Sequence, residues 1–262
     1  MKYRLLIALL LIVFLNACSK EEVSSQDEAN NGGTESNKAA NQKSTGASAN
    51  DLLSSSTFKS MVIELVYVDG FEPSETSVNN LKSFIEARTF KPQGITVEKR
   101  AIAPTGKAKY STEDIIRIEE SKRTKYNTNN QIAVWAFFAD GESNKNTENG
   151  VVLGTAYRNT SFVIFQETIE DLSNSAFEPN RSVLETTVIT HEFGHILGLT
   201  NLGTAMVTNH EDSSHPKHCN VESCLMYWSA ETGDGLSNLI GSSKAPELDD
   251  QCIADLQANG GK

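Results

Sequence analysis

The chain has little positive charge and almost no long apolar sequence. Its 262 residues include 23 basic and 34 acidic side chains, which gives a formal net charge of −11. Because of this acidic balance, we do not expect nucleic acids or anionic lipid surfaces as partners. The composition, 38% hydrophobic and 22% charged, excludes a collagen-like, wholly disordered or multi-span membrane protein. Histidine is also scarce, and all 5 histidines lie between positions 191 and 218, so we expect the function to reside there.

The one extended apolar run lies at the start of the chain. Lys2 and Arg4 precede the run Leu5–Leu15, which is too short to span a bilayer as a helix and is typical of a secretory signal. The following Leu-Asn-Ala-Cys, ending at Cys18, resembles a bacterial lipobox. The resemblance implies removal of residues 1–17 and lipidation of Cys18. The alternative is an ordinary signal peptide that happens to contain a cysteine. We therefore predict an exported protein, anchored by lipid to a bacterial membrane on its periplasmic face or at the cell surface.

A polar segment separates this signal from the rest of the chain. Residues 24–51 contain no Val, Ile, Leu, Phe, Tyr or Trp. Such a segment has too little apolar surface to offset its ordering entropy. We predict a flexible tether over residues 18–56 and a single folded domain over residues 57–262.

The remaining sequence alternates between strand and helix patterns. Apolar periodicity and turn residues predict helices over 77–87, 111–122 and 182–197, and strands over 61–68, 94–102, 131–139, 151–157 and 161–166. This order predicts an α+β (α/β-like) domain with a twisted mixed sheet.

The last predicted helix carries a metal-binding pattern. His191 and His195 are four residues apart, which places two imidazoles one turn apart on one face. With Glu192 they form the pattern HExxH, in which the histidines bind zinc and the glutamate acts as general base. Ser182 and Glu185 fit a capping box at the start of the helix.

A resemblance to a family of zinc proteases begins at this helix. The string from His191 to Asn201 resembles the metzincin pattern HExxHxxGxxH, with its glycine at Gly198. Asn201 departs from that pattern, because the family has histidine or aspartate there and a neutral amide is a poor zinc ligand. The third ligand must therefore come from another part of the chain.

The segment His218–Met226 supplies a candidate. It is similar to the archaemetzincin segment in which a liganding histidine precedes a cysteine and Cys-x-Met follows. The resemblance implies His218 as the third ligand, Met226 as the methionine of the Met-turn, and residues 199–217 as an inserted loop. It also implies a metzincin-like fold with a long active-site helix and a smaller C-terminal subdomain. His210 and His215 remain alternatives to His218, and a different zincin class would use a downstream glutamate, Glu211 or Glu222.

Three cysteines follow the predicted lipidation site. The resemblance implies a second, structural zinc bound by four cysteines, but only Cys219, Cys224 and Cys252 are present. Asp249 could replace the fourth. Because an exported chain enters an oxidising compartment, we predict one disulfide among the three and consider a second zinc unlikely.

The function that these features predict is a zinc metallopeptidase with one catalytic Zn²⁺. The partners expected are a peptide or protein substrate and a membrane, the latter through the lipid on Cys18. In metzincins the substrate pairs with an edge strand, for which 151–157 and 161–166 are candidates. Two alternatives stay open: a non-catalytic, zinc-containing surface binding lipoprotein, and a zinc hydrolase acting on a small amide. The sequence leaves the oligomeric state open.

Overall fold

A computed structural model describes residues 37–148 and 150–262 of the chain. The predicted signal peptide at residues 1–17, Cys18 and the first part of the predicted tether lie outside the described residues. Within the described part of the chain, no helix is long and apolar enough to cross a membrane.

A five-stranded sheet lies at the centre of the domain. Its strands are β1 (Ser60–Val68), β2 (Ile95–Ile102), β4 (Gln131–Phe138), β6 (Gly154–Arg158) and β7 (Ser161–Ile164). They are arranged in the order β2-β1-β4-β7-β6. All neighbours are parallel except β6, which pairs antiparallel with β7 at the sheet edge. Two short strands, β3 (Lys109–Tyr110) and β5 (Glu142–Ser143), form a separate parallel pair.

Helices cover both faces of this sheet. They are α1 (Ala49–Leu53), α2 (Glu75–Arg88), α3 (Thr112–Lys122), α4 (Gln166–Asp171), α5 (Arg181–Ile196), α6 (Leu236–Leu239) and α7 (Asp250–Ala258). Two 3-10 turns, Trp228–Glu231 and Gly233–Gly235, precede α6, and a further helical turn lies at residues 37–40. This mixed sheet with helices confirms the predicted fold class.

The two central strands show why a sequence of this kind forms a covered sheet. Successive side chains of a strand point to opposite faces. Ile63 and Val134 accordingly lie in the core beneath α2 and α5, whereas Val66 and Trp135 lie in a second core beneath α3. Both faces are therefore apolar, as expected for parallel strands buried on both sides.

The segment of residues 37–56 packs against the domain, although its composition predicts a flexible tether. Leu52 and Leu53 are fully buried in the main core. Asn41 is fully buried as well, and its amide nitrogen donates to the Thr160 hydroxyl at 2.9 Å. The expectation of flexibility is therefore wrong for this part of the chain, because a few well-placed side chains hold a segment that is polar on average.

Candidate metal centres

Helix α5 carries two of the predicted ligands, and its N-cap lies two residues before Ser182, the N-cap of the predicted capping box. Its N-cap is Asn180, whose side chain accepts the Ser182 amide at 3.0 Å. The predicted capping box does not form, because the Glu185 carboxylate accepts the Ser74 amide at 2.9 Å and the Arg181 guanidinium at 2.6 Å. Glu185 thus ties α5 to the start of α2 and does not cap its own helix.

His191, His195 and His218 lie together at the C-terminal end of α5. The ring centroids are 4.7 Å apart for His191 and His195, 5.4 Å for His191 and His218, and 5.1 Å for His195 and His218. Their candidate ligand atoms, together with one carboxylate oxygen of Glu231, all lie within 4.8 Å of one another. We call these four residues the histidine cluster. The structure therefore brings the predicted ligand set together.

The orientation of His191 is fixed by a backbone contact. Its Nδ1 lies 2.8 Å from the Leu225 carbonyl oxygen. A carbonyl can only accept, so Nδ1 carries the proton and Nε2 keeps its lone pair. That Nε2 atom is buried and has no hydrogen bond within the described part of the chain. Burial, assisted by the neighbouring His195, lowers the pKa of His191 to about 3, so the ring is neutral at pH 7, the form that binds metals.

The inserted loop of residues 199–217 returns the chain to the histidine cluster. It follows Gly198, which has φ +83° and where a Cβ would lie within 3 Å of the Thr204 backbone nitrogen, so a glycine is required. The Thr200 hydroxyl donates to the Lys217 carbonyl and closes the loop. His218 follows directly and reaches the site from the loop.

Asn201, which stands where the metzincin pattern has its third ligand, is not part of the site. Its amide nitrogen donates to the Glu211 carboxylate at 3.0 Å and braces the loop. The position of His218 is set instead by its neighbour, since the Cys219 amide donates to the Met226 carbonyl at 2.8 Å. Met226 is fully buried against α5, as the resemblance implies.

Glu192 lies on α5 beside the histidine cluster and is fully buried. Neither of its carboxylate oxygens has a hydrogen bond of acceptable geometry among the described residues. Burial raises the pKa of Glu192 well above its usual range, and repulsion from Glu231 adds to this. The strand β6 approaches closely because Gly154 has no side chain: a Cβ there would lie 2.7 Å from Oε1 of Glu192. The carboxylate is therefore free to interact with a bound molecule.

Glu231 is a site residue that the sequence patterns did not indicate. One of its carboxylate oxygens is 3.7 Å from Nε2 of both His191 and His195, and the other is 3.3 Å from Nε2 of His218. Burial opposes its ionisation, but the imidazoles of His195 and His218 outweigh burial and hold the pKa of Glu231 well below its usual range. No motif spacing links it to the helix, and the only available signal was its position shortly after Met226.

The two other histidines lie away from the histidine cluster. His210 is buried, and its Nε2 lies 2.8 Å from the Asp255 carboxylate. His215 is partly exposed, contacts the Asp212 carboxylate at 2.8 Å and stacks on Trp228 with ring centroids 4.2 Å apart. Neither completes the site, and the structure favours His218 among the three candidates.

The three cysteines form a second group that contains no disulfide. The sulfur atoms of Cys224 and Cys252 are 3.6 Å apart, and all three cysteines are free and buried. Cys219 lies 3.4 Å from Nδ1 of His210 and 3.6 Å from the Asp249 carboxylate. We call these five residues the cysteine cluster. The predicted disulfide is wrong, because all three thiols are free and the sulfurs of Cys224 and Cys252 are separated by more than the roughly 2.05 Å of an S–S bond. His210 and Asp249 add further potential metal ligands beside the thiols.

Backbone amides point at the sulfur atoms of the cysteine cluster. The amide of Val221 lies 3.5 Å from the Cys219 sulfur, and the amides of Met226 and Asp249 each lie 3.4 Å from the Cys224 sulfur. The neighbouring thiols of Cys219 and Cys252 lower the pKa of Cys224 to about 4, with a smaller contribution from the amides of Asp249 and Met226, whereas the same contacts raise the pKa of Cys219 and of Cys252. The surroundings thus favour one thiolate, at Cys224, and the thiolate is the form in which cysteine binds metals.

A cleft of about 130 Å³ borders the histidine cluster. Thr155 and Ala156 of the edge strand β6 line it together with His195 and Glu231, and Thr45 of the N-terminal segment also contributes. Of the two predicted substrate-pairing strands, only β6 lies at the sheet edge, since β7 is paired on both sides. Among the described residues, the sheet edge beside the cleft therefore belongs to β6, whose Ala156 carbonyl accepts the Thr45 hydroxyl at 3.4 Å.

Comparison with known proteins identifies the fold. No protein-family model matches the sequence, and no curated protein matches it. The crystal structure of archaemetzincin from Methanopyrus kandleri superimposes with a TM-score of 0.51 at 17% sequence identity. The match covers 77% of this chain and 96% of that chain. The chain has an archaemetzincin-like fold.

Proposed function

We propose that the protein is a zinc-dependent peptidase. In this proposal His191, His195 and His218 hold the catalytic zinc and Glu192 is the general base. The observation that carries it is the convergence of three imidazoles beside a buried carboxylate that accepts no hydrogen bond of acceptable geometry among the described residues. Three imidazole nitrogens suit zinc, which binds such sets in tetrahedral catalytic sites. The archaemetzincin-like fold supports the same general class.

The mechanism assigns a separate task to each residue. Zinc, when bound, supplies a Lewis acid that activates water and polarises the scissile carbonyl. Glu192 takes the proton from the attacking water and returns it to the departing amine. Its raised pKa makes it a stronger base than an exposed carboxylate. His191 is held in the ligating orientation by its contact with Leu225.

A peptide is the substrate class that the cleft supports best. The edge strand β6 lies beside Glu192 and the cleft, and no further strand of the described residues pairs with its outer side. An extended peptide can pair with such an edge through its own backbone, which gives affinity with little demand on sequence. A small amide would make no use of this edge, so we favour a peptide over the small-amide alternative.

We further propose that the cysteine cluster binds a structural zinc, contrary to the sequence-based expectation. The contact of His210 with Asp255 leaves Nδ1 directed at Cys219, the arrangement of a metal-bound histidine held by an outer carboxylate. A bound metal would also keep the thiols from oxidising in an exported protein.

Export and lipid anchoring at Cys18 remain part of the proposal. They rest on the sequence of residues 1–18. Mass spectrometry of the membrane fraction tests them: a chain starting at Cys18 with added acyl mass is expected, and an unmodified chain cut elsewhere contradicts anchoring.

The variant Glu192→Gln tests the catalytic proposal. We expect peptide hydrolysis to fall by roughly 10²–10⁴-fold, because the base is lost while the fold and bound zinc are kept. Hydrolysis is measured on a mixed peptide library, and zinc by atomic absorption. Glu222→Gln, an exposed carboxylate outside the site, is the matched control. If the unaltered protein binds zinc but cleaves no peptide, a binding lipoprotein is the better interpretation, and if only short amides are cleaved, the small-amide alternative holds.

A further inference from the structure

Glu231 is directed at the three histidines of the histidine cluster by a segment that is fixed to the sheet. It is the last residue of the 3-10 turn Trp228–Glu231. Its carbonyl accepts the Leu153 amide at 2.8 Å, and the next residue, Thr232, forms a β-bridge with Val152. The side chain is 26% exposed and lines the cleft. The backbone on both sides therefore holds this carboxylate at the histidine cluster.

The distances match those expected between the ligands of one metal ion. A tetrahedral zinc with bonds of roughly 2.0–2.1 Å places its ligand atoms roughly 3.3–3.4 Å apart. The carboxylate oxygens of Glu231 lie 3.3 Å from Nε2 of His218 and 3.7 Å from Nε2 of His191 and His195. The carboxylate thus lies where the fourth ligand of such an ion would lie.

Direct pairing of Glu231 with the imidazoles accounts less well for these contacts. At 3.7 Å, the contacts to His191 and His195 are too long for hydrogen bonds. Nε2 of His191 and of His218 has no hydrogen bond of acceptable geometry in the described part of the chain, although the carboxylate is adjacent. Nitrogens and oxygens that converge at this spacing without bonding one another leave room for an ion between them.

We infer that Glu231 is an internal fourth ligand that caps the catalytic metal. The inference rests on the proposed zinc peptidase function. Catalytic zinc sites usually have three protein ligands and an open position, whereas sites with four protein ligands are structural. Here the open position is occupied by the chain itself. Water or substrate must displace Glu231 before the reaction can begin, and the protein folds in a capped, self-inhibited form.

The cap should reduce the apparent affinity of any molecule that binds the metal directly. A ligand that binds only the uncapped site has its affinity lowered by the fraction of molecules that are uncapped. Removing the carboxylate should therefore have two opposite effects: weaker retention of the metal and stronger binding of an added metal ligand. A residue that only stabilises the fold would not separate these two quantities in this way.

The experiment uses the full chain loaded with Co²⁺, whose visible absorption reports the number and type of ligands. Subtracting the spectrum of His191→Ala isolates the histidine cluster from the cysteine cluster. For Glu231→Gln and Glu231→Asp we expect metal affinity at the histidine cluster to fall about tenfold or more. We expect the affinity for acetohydroxamate, a small metal-binding probe, to rise about tenfold or more. Glu222→Gln should change neither quantity.

The possible results distinguish this inference from the function on which it rests. If His191→Ala changes neither the metal content nor the spectrum, the histidine cluster is not a metal site, and both proposals fail. If His191→Ala removes one metal but both Glu231 variants retain the wild-type affinities, only the cap is wrong. If the Glu231 variants weaken metal and acetohydroxamate binding together, Glu231 has a structural role and the inference is overturned.

Discussion

The histidine cluster and the cysteine cluster share one short segment, residues 218–226, but differ in their surroundings. The histidine cluster borders a cleft and includes buried polar atoms without hydrogen bonds among the described residues. In the cysteine cluster, Cys219 and Cys224 accept backbone amides and His210 is held by Asp255. The histidine cluster thus has polar atoms available for a ligand in the cleft, whereas nearly all polar atoms of the cysteine cluster already have partners in the interior.

In the proposed function, this difference separates a reactive centre, the histidine cluster, from a structural one, the cysteine cluster. Buried polar groups without partners are costly, and they persist where a ligand or reaction uses them. Satisfied groups in a closed setting stabilise the fold. We therefore expect changes in the histidine cluster to affect chemistry more than stability, and changes in the cysteine cluster to do the reverse.

The largest effect is expected for His195→Ala. Loss of one of the two imidazoles on α5 should strongly weaken zinc binding at the histidine cluster, since only two imidazoles and the displaceable Glu231 carboxylate remain. Peptide hydrolysis should fall below detection, a loss of about 10⁴-fold or more. The metal content should fall by one ion per chain, and the melting temperature should change little. Atomic absorption, a peptide assay and calorimetry measure these three quantities.

His215→Ala is the matched control for that variant. His215 is partly exposed and contacts Asp212 and Trp228, outside both clusters. It should keep full activity and metal content. An equal loss of activity in the two variants would show that the histidines of this region act on the fold and not on a metal.

A smaller effect, on the free energy of unfolding and not on the rate of hydrolysis, is expected for Cys252→Ala. Cys252 lies on α7, and its loss leaves the cysteine cluster without one ligand and the Cys224 sulfur without its neighbour. We expect the free energy of unfolding to fall by about 2–3 kcal/mol, or roughly 5–10 °C in melting temperature. The rate of peptide hydrolysis per correctly folded molecule should stay within a few-fold of that of the unaltered protein. If the variant folds completely but has no activity, the assignment of chemistry to one cluster and stability to the other is contradicted.

Much of the histidine cluster could be predicted from local patterns. The four-residue spacing of His191 and His195 on an apolar helix is a signal contained in one stretch of sequence. His218 required the resemblance, because a loop of variable length separates it from the helix. Glu231 gave no signal, since its role depends on how the chain folds back after Met226.

The errors in the sequence-based predictions have a common physical origin. Counting cysteines suggested a disulfide, but the fold places the His210 ring beside Cys219 and holds it there through Asp255, 45 residues further along the chain. Average composition suggested a flexible tether, but one buried amide, at Asn41, makes specific contacts with the sheet. In both cases the structure depends on contacts between residues that are distant in the sequence, and local composition does not predict such contacts.

The smallest effect is expected where the two clusters meet, at Met226. Its side chain packs on α5, where a Cβ on Gly194 would touch its sulfur, whereas its backbone amide and carbonyl contact Cys224 and Cys219. Met226→Leu conserves volume and backbone, so the loss of stability should stay below about 1.5 kcal/mol. Because only the side chain changes, Co²⁺ bound at the histidine cluster should be held a few-fold less tightly, and metal at the cysteine cluster should be unaffected. Metal competition measures the affinity of each cluster for its metal. An equal loss of affinity at the histidine cluster and the cysteine cluster would show that the two form one cooperative unit.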